Sequence, residues 1–528
     1  MTKILGLPAK IGLAIALFFI SVSGFSQEIA KGFVYHDENG NGKKQRREGG
    51  ISGVSISNGE EVVQTDEKGY YEISLRDGQL LFVIKPSGFS IPLDSLNRPQ
   101  YYYIHKPSGS PDLKYAGSEP TGDLPKEINF ALTKSEETED FTALIFGDPQ
   151  PYTLEEVGFF DKGVVSEVEG IKDVAFGLSL GDLVGDDLNL FSPYSQAVAK
   201  VGIPWYNVMG NHDENYDVDS DELSDETFEA HFGPSTYAYN VGKVHFIVID
   251  DILWPDPRDG KSYWGGLRAD QLTFLKNDLK YVPKDHLIVI SMHIPFFEQG
   301  DSFRDEDRQE IFNMLAEYPH TLSLSAHTHL QRQDYFNRAD GWKQDTPHHH
   351  YNVGTTSGDW YKGVLNEQGI PVSTMRDGTP KGYALIHFSG NQYKIKYQVA
   401  GETSDYQMEI FAPKVLEKGK STTAGIFVNF FMGSKGDKVM ISIDGGEMKP
   451  MTWVEDYDPA YLVDLFQWDT TEKLLNGRRP SNPAQSKHLW RVPIPNGLEA
   501  GEHVVKVQAT DRYGQVHQGV QKITVLEK

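Results

Sequence analysis

The chain has 528 residues, with 50 Lys+Arg against 75 Asp+Glu, a formal net charge of -25 and no cysteine. That length exceeds one ordinary core and implies about three domains. The acidity argues against nucleic acid and anionic membranes as partners, and the lack of cysteine excludes disulfides and a lipid-modified N-terminal cysteine.

The first 26 residues read as a secretory signal. Lys3 and Lys10 give a positive start, Ile11 to Ile20 is an unbroken apolar run, and Gly24 and Ser26 are small residues suited to a cut after Ser26. The run is too short to span a membrane comfortably, and no other run is long enough, so no stable membrane anchor is expected. The processed product is expected in the periplasm or outside the cell.

Residues 27–134 alternate apolar and polar positions between Gly/Asn/Asp turns, which predicts a small β-sandwich, and this stretch resembles the immunoglobulin-like domains that precede many secreted enzymes. Asp37, Asn39 and Asn41 alternate oxygen groups as calcium loops do. No acidic residue is assigned to the closing offset, so this stretch reads as a turn whose side chains bond their own backbone. Leu96 to Asp123, rich in Pro, Gly, Ser and Tyr, is expected to be an irregular excursion of the same domain. The charged stretch Lys134 to Asp140 marks the first boundary.

Residues 140–400 alternate strands with helical stretches, the α/β signature. Helices are predicted at Arg268 to Tyr281 and Arg304 to Tyr318, and a strand at His245 to Asp250. Five apolar runs each end in residues able to bind a metal. Phe141 to Gly147 leads into Asp148-Pro149-Gln150, and Ala175 to Leu180 into Gly181-Asp182. Ile203 to Met209 leads into Gly210-Asn211-His212-Asp213, Leu287 to Met292 into His293, and Thr321 to Ala326 into His327-Thr328-His329. Ligands of open α/β sheets bind at such strand ends.

Residues 401–528 return to β character, with strands expected at Thr423 to Phe431 and His503 to Ala509 and a turn at Asp511 to Gly514. Glu455 to Lys487 reads as a long polar and aromatic loop reaching toward the middle domain.

Asp148, Asp182, Asn211, His293, His327 and His329 combine carboxylate, imidazole and amide oxygen, a set that first-row divalent metals accept. Side chains alternate along extended backbone, so His327 and His329 can share a site. Two divalent ions would bring about four positive charges against two carboxylates, leaving charge for hydroxide and a phosphate oxygen. That suits phosphate-ester hydrolysis. His212, beside a ligand but not itself a ligand, is the natural general acid, and either Asp213 or Asp186 would hold its ring.

The ordered motifs Asp-Pro-Gln, Gly-Asp-Leu-Val-Gly-Asp, Gly-Asn-His-Asp, Met-His and Ala-His-Thr-His resemble the calcineurin-like metallophosphoesterases. With the flanking runs His348 to Gly354 and Met375 to Tyr383 and a β domain at each end, the chain looks like a secreted three-domain subgroup. The resemblance implies an α/β (α+β) four-layer core of two packed sheets flanked by helices, with all-β sandwich domains at both ends. It implies two divalent ions (Mn, Fe, Zn or similar) and a metal-bound hydroxide as nucleophile. Asp182 would bridge the ions, Asp148 and His329 would complete the first position, and Asn211, His293 and His327 the second. Two residues depart from the pattern. Gln150 stands where His is usual, so it would bind the first ion weakly, through water, or bond substrate instead. Ala326 stands where glycine is common.

His348 to His350 are open to two readings, a further metal patch or part of the phosphate pocket on one side and a polar strand entry on the other. Thr355 to Trp360 suits a substrate-facing loop or any solvated turn. The ligand motifs contain no arginine cluster to grip a dianion, which favours a diester. The sequence therefore points to a secreted phosphoesterase with a phosphoester substrate, a phosphodiester or small phosphorylated metabolite. The alternatives are a phosphomonoesterase or protein phosphatase, or a catalytically weak protein contacting a cell surface or glycan through its β domains.

Overall fold

The computed structural model describes residues 28–297 and 303–527. The signal expected at residues 1–26 lies outside the described residues. Among those described, no helix is long and apolar enough to cross a membrane.

The middle of the chain builds two sheets. One has five strands in the order Trp205–Val208, Phe176–Leu180, Asp140–Phe146, Gly382–Ser389 and Gln392–Val399. Its first three strands are parallel, and Gly382–Ser389 runs antiparallel to Asp140–Phe146. The other has six strands in the order Tyr237–Val241, Val244–Val248, Leu287–Ser291, His320–Ser325, His348–Asn352 and Arg332–Phe336, with the central four parallel. Parallel strands covered on both faces carry continuous apolar runs, and Leu287–Ser291 is buried at every position.

The sheets pack face to face. Phe141, Phe176 and Phe388 from one meet Phe246 from the other, with ring centroids 6.4, 5.2 and 5.4 Å apart. Helices Leu154–Gly163 and Phe191–Ala199 cover the outer face of the first sheet, where Phe160 and Tyr194 pack with Phe146 and Trp205. Helices Ala269–Asp278 and Asp305–Leu315 cover the other with Phe274, Leu275, Ile311 and Phe312. The result is helix, sheet, sheet, helix, the four layers expected.

The N-terminal region is two four-stranded sheets enclosing Val34, Ile56, Leu81 and Phe82. In the loop after its first strand, Asp37 accepts the backbone N–H groups of Asn41 and Gly42, and Asn41 that of Lys43. The reading that no acidic residue closes the loop is corrected. Glu48 stands there, buried, accepting from the Asn39 side chain at 3.2 Å and from the Gln45 N–H at 2.7 Å. The irregular excursion reaches across to the core rather than lying free. Lys106 pairs with Glu226 and Glu229 at 2.6 and 2.7 Å, Arg98 donates to the His231 carbonyl, and Tyr115 donates to the Asp186 carbonyl at 3.0 Å.

The C-terminal region is a sandwich of a four-stranded and a five-stranded sheet. Its Ile426, Val428, Trp490, Val505 and Ile523 form a separate core. Glu455 to Lys487 is not a plain loop. It contains the helix Pro459–Thr470, started by the Asp458 side chain accepting the Tyr461 N–H with Pro459 in the first turn. Beyond it, Gly477–Arg478 pairs with Gly363–Val364 of the core, and Arg478 reaches Glu156 at 2.6 Å. The stretch does meet the middle domain.

Candidate metal centre

The carboxyl ends of five strands from the two sheets converge on one place. Several residues there carry left-handed backbone: Asp148 at φ 32°, Gln150 at 39°, Asp182 at 47°, His327 at 69° and His329 at 51°. Non-glycine residues in that region cost of order 1–3 kcal/mol each and collect at functional sites. Two glycines permit the approach. A Cβ on Gly181 would lie 2.4 Å from His293 Nδ1, and one on Gly210 would lie 2.1 Å from the Asp182 nitrogen.

The donors gather in two groups. The Nδ1–H of His293 donates to the Leu180 carbonyl at 2.8 Å, which leaves Nε2 facing the site. Around that nitrogen lie Asn211 Oδ1 at 3.1 Å, Asp182 Oδ1 at 3.2 Å and His327 Nδ1 at 3.2 Å. Asp182, His293 and His327 each offer a ligand atom within 4.8 Å of the others. The second group pairs His329 with Gln150. The Nδ1–H of His329 donates to the Gly358 carbonyl at 2.7 Å, so its Nε2 faces Gln150 Oε1 at 2.8 Å. Asp148 is fully buried, both oxygens accepting the His327 N–H at 3.0 Å and Oδ1 lying 3.9 Å from His293 Nδ1.

Electron-pair acceptors facing one another at such distances need a proton or a cation between them. Burial pulls His327 and His329 down to about 3, the first helped by the charge of His293, so both present neutral imidazole, the metal-binding form. Burial opposes a charge on His293, yet the Asp182 carboxylate outweighs it and pushes the ring up to about 10. Burial raises Asp148 to about 8 despite the opposing pull of His293, and Asp182 adds to the rise. The donor set and the negative charge of Asp182 fit a divalent cation.

His212 lies at the rim, its side chain 25% exposed. Burial disfavours its charged ring, but Asp182 and the hydrogen bond to Asp186 outweigh that and push it up to about 9. Its Nδ1 meets Asp186 Oδ1 at 2.6 Å. The expectation that Asp213 could hold the ring, or act in catalysis, is corrected. Both Asp213 oxygens are occupied by the N–H groups of Leu183, Val184 and Gly210 at 2.9 to 3.1 Å. Asp213 shapes the loop that carries Asp182 and Asn211.

His348 to His350 form neither a metal patch nor a phosphate pocket. They lie in a fully buried strand. Thr321, Ser323 and Ser325 of the neighbouring strand bond His348 and His350 in a ladder, and Ser325 continues it to Asn352, whose amide reaches Thr328 Oγ1 at 2.9 Å. His349 points to the opposite face and stacks on Tyr335 at 4.9 Å. The Thr355 to Trp360 run does belong to the site, since Gly358 holds His329 and the Trp360 ring stacks on His329 at 4.0 Å.

Three residues were not legible as site residues. Asp251 accepts the N–H groups of His293 and Ile294 at 2.9 Å, fixing that loop. Tyr115, from the N-terminal region, braces the Asp186 carbonyl. Arg376 donates from Nη2 to the Thr328 carbonyl at 3.0 Å, between the two histidines. Each is distant in sequence, and only Arg376, within the flanking run after Met375, left a trace in the reading.

Residues 141–331 match the family described as calcineurin-like phosphoesterase, residues 38–115 its N-terminal segment and residues 350–517 its C-terminal segment. No curated protein matches the chain. Among solved structures, a purple acid phosphatase from yellow lupin (Lupinus luteus) seeds aligns at 12% identity and a TM-score of 0.37, covering 71% of this chain and 67% of that one. CopC from Methylosinus trichosporium OB3b aligns at 14% identity and a TM-score of 0.12, covering 22% and 86%.

Proposed function

The chain belongs to the calcineurin-like phosphoesterase family and is a metal-dependent phosphoesterase, and from that premise we propose a dinuclear site with His212 as general acid, acting outside the cytoplasm on a phosphodiester or small phosphorylated metabolite. The observation that carries this is the double convergence of acceptors, on His293 Nε2 and on the His329–Gln150 pair, with Asp148 and Asp182 buried beside them.

Divalent ions bound there would supply a lowered pKa for water and charge neutralisation at the phosphoryl oxygens. Asp182, Asn211, His293 and His327 would hold one, and Asp148, Asp182 and His329 the other, with Gln150 at its edge. His212 does the proton work. Asp186 orients Nδ1, so Nε2 is the atom left to face a leaving oxygen. Asp182 and Asp186 favour the protonated ring against its burial. Export rests on the first 26 residues alone.

The test is metal content together with hydrolysis of bis(4-nitrophenyl) phosphate by the wild type and by His212→Ala. Two metals per chain in both proteins, with turnover collapsing in the variant, is the expected result. One metal per chain with unchanged turnover in His212→Ala would overturn the dinuclear and general-acid assignments together.

A further inference from the structure

A cavity of about 410 Å³ opens beside His327, where the C-terminal sandwich faces the core. The core side presents Trp360, Arg332 and Arg376, and the C-terminal side presents Tyr457 and Lys487. The metal centre therefore continues into a cleft that the core alone does not close.

Arg376 is the unusual group in it. One Nη2 hydrogen goes to the Thr328 carbonyl, and Nε is buried with no hydrogen-bond partner. Among the described residues it forms no ion pair with a carboxylate, although the chain carries 75 Asp+Glu. The acidic groups that line the cleft are already engaged. Asp377 accepts the N–H groups of Gln331 and Thr379 and faces His488 at 3.2 Å. Glu455 lies 3.8 Å from Lys487, and Asp334 pairs with Arg332 at 2.6 Å. A guanidinium leaving a buried N–H unpaired is unfavourable unless something brings an oxygen to it. The Thr328 carbonyl it holds lies between His327 and His329, so an oxygen brought to it would sit next to the metal centre.

Resting on the phosphoesterase assignment, we propose that this cleft is a subsite for a second phosphate group on the substrate, gripped by Arg376 and faced by Lys487. The scissile phosphate lies at the metal centre, and one ester arm carries the second phosphate into the cleft along Trp360 and Tyr457. The geometry suits a guanidinium better than an ammonium, because a fork donates two parallel N–H bonds to one oxyanion. Hydrolysis itself is unchanged: water adds at phosphorus, the P–O bond of one arm breaks, and the proton from His212 goes to the departing oxygen.

The test uses the metal-loaded full-length chain and two readouts. Calorimetry compares a non-hydrolysable phosphonate diester analogue with the same molecule carrying a terminal phosphate, and with one carrying a carboxylate. Kinetics compares the matching aryl diesters. The wild type is expected to bind the phosphate-bearing analogue at least about tenfold more tightly than the plain one. Arg376→Ala should erase that preference in the calorimetry, Arg376→Lys should restore part of it, and Lys487→Ala should weaken it by a few-fold while metal content and turnover of the plain diester stay within about twofold. Equal binding of plain and phosphate-bearing analogues by the wild type would overturn the subsite, as would a stronger preference for the carboxylate. Failure of the phosphoesterase assignment is separate: it would appear as no turnover of any diester with the binding preference intact.

Discussion

The imidazole Nδ1 of His212 and Oδ1 of Asp186 lie 2.6 Å apart, and Tyr115 of the N-terminal region holds the Asp186 carbonyl at 3.0 Å. The proposed proton donor is thus oriented by a residue that the N-terminal region steadies. Asp186 itself sits at φ 66°, a conformation that such bracing makes tenable.

This pair gives the first prediction. His212 is pushed up to about 9, against its burial, by Asp182 and Asp186. A general acid works only while protonated, so kcat should fall as pH rises through the value His212 holds. Asp186→Asn removes a charge that raises that value, and the alkaline limb of the kcat profile should move toward lower pH. His212→Ala should cost about 10²- to 10⁴-fold in kcat. Unchanged profiles in Asp186→Asn would mean that the limb belongs to another group.

The second prediction concerns the two acceptor groups. Asp182 stands beside His293 at 3.2 Å, and although burial opposes its charge, His293 and His212 outweigh it and hold the carboxylate ionised, the common negative charge of the centre. Asp182→Asn should lose both metals. Gln150 Oε1 meets His329 at 2.8 Å, and its amide donates to the Tyr152 hydroxyl at 3.4 Å. Gln150→Ala should lose about one metal, and Gln150→His should hold it about tenfold or more against a chelator. Elemental analysis after dialysis reads all three.

The third prediction tests how the C-terminal sandwich is fixed. Asn429 donates to the Asp377 carbonyl and to Asp458, while His488 bridges Asn429 Oδ1 at 2.6 Å and Asp377 at 3.2 Å. Gly378 sits inside this network at φ 86°, and a Cβ there would lie 2.5 Å from Asp458 Cγ. Gly378→Ala should loosen the sandwich, raise protease sensitivity between the domains and impair the adjoining cleft, while metal content stays the same. A variant indistinguishable from wild type in limited proteolysis would show that the network does not set the docking.

Much of this was legible because the relevant strands are parallel and buried on both faces. Such strands leave continuous apolar runs, and Leu287–Ser291 or Phe176–Leu180 can be read directly, with the ligands immediately after them. What the chain brings together through space was not. Asp186 and Asp213 are equally plausible partners for His212 by spacing, and only the loop's backbone hydrogen bonds to Asp213 decide between them. Arg376 belongs to the site through one bond to Thr328 across 48 positions, which no local pattern reports. The helix Pro459–Thr470 is a different kind of miss, since Asp458-Pro459 is a helix-start signal in plain view, hidden by the polar and aromatic composition around it. His348 to His350 misled because histidine runs suggest metals, while here both nitrogens of His348 and His350 meet hydroxyls and His349 Nδ1 meets the Tyr393 hydroxyl.

The fourth prediction follows from that ladder. Ser325 Oγ donates to Asn352 Oδ1, so it accepts from His350 Nε2–H at 2.8 Å. His350 Nδ1 in turn accepts from Ser323, which accepts from His348 Nε2–H at 2.8 Å. Ser323→Ala strands two buried ring nitrogens, and each unpaired group costs about 1–3 kcal/mol. A clear fall in Tm is expected with metal content retained. Coincident loss of metal would mean that the ladder also sets the position of the His327–His329 loop.

The last prediction is a pH dependence of stability remote from the metal ligands. Lys381 is buried, donates to the Pro371 carbonyl at 2.6 Å, and is pulled down from 10.5 to about 8 by that burial, with Glu167 opposing only in part. Between about 8 and 10.5 the unfolded chain keeps this proton and the folded chain does not. The unfolded state then binds more protons, so stability from this group rises with pH across that window, by an amount of order 3 kcal/mol at most. Below the window both states are protonated, and the folded state carries the full cost of a buried ammonium. Lys381→Met keeps the length of the side chain without the charge. Relative to wild type it should be more stable at pH 7, and the advantage should shrink steadily toward pH 10. Parallel Tm-against-pH curves for the two proteins would show that Lys381 keeps its ordinary pKa in the fold.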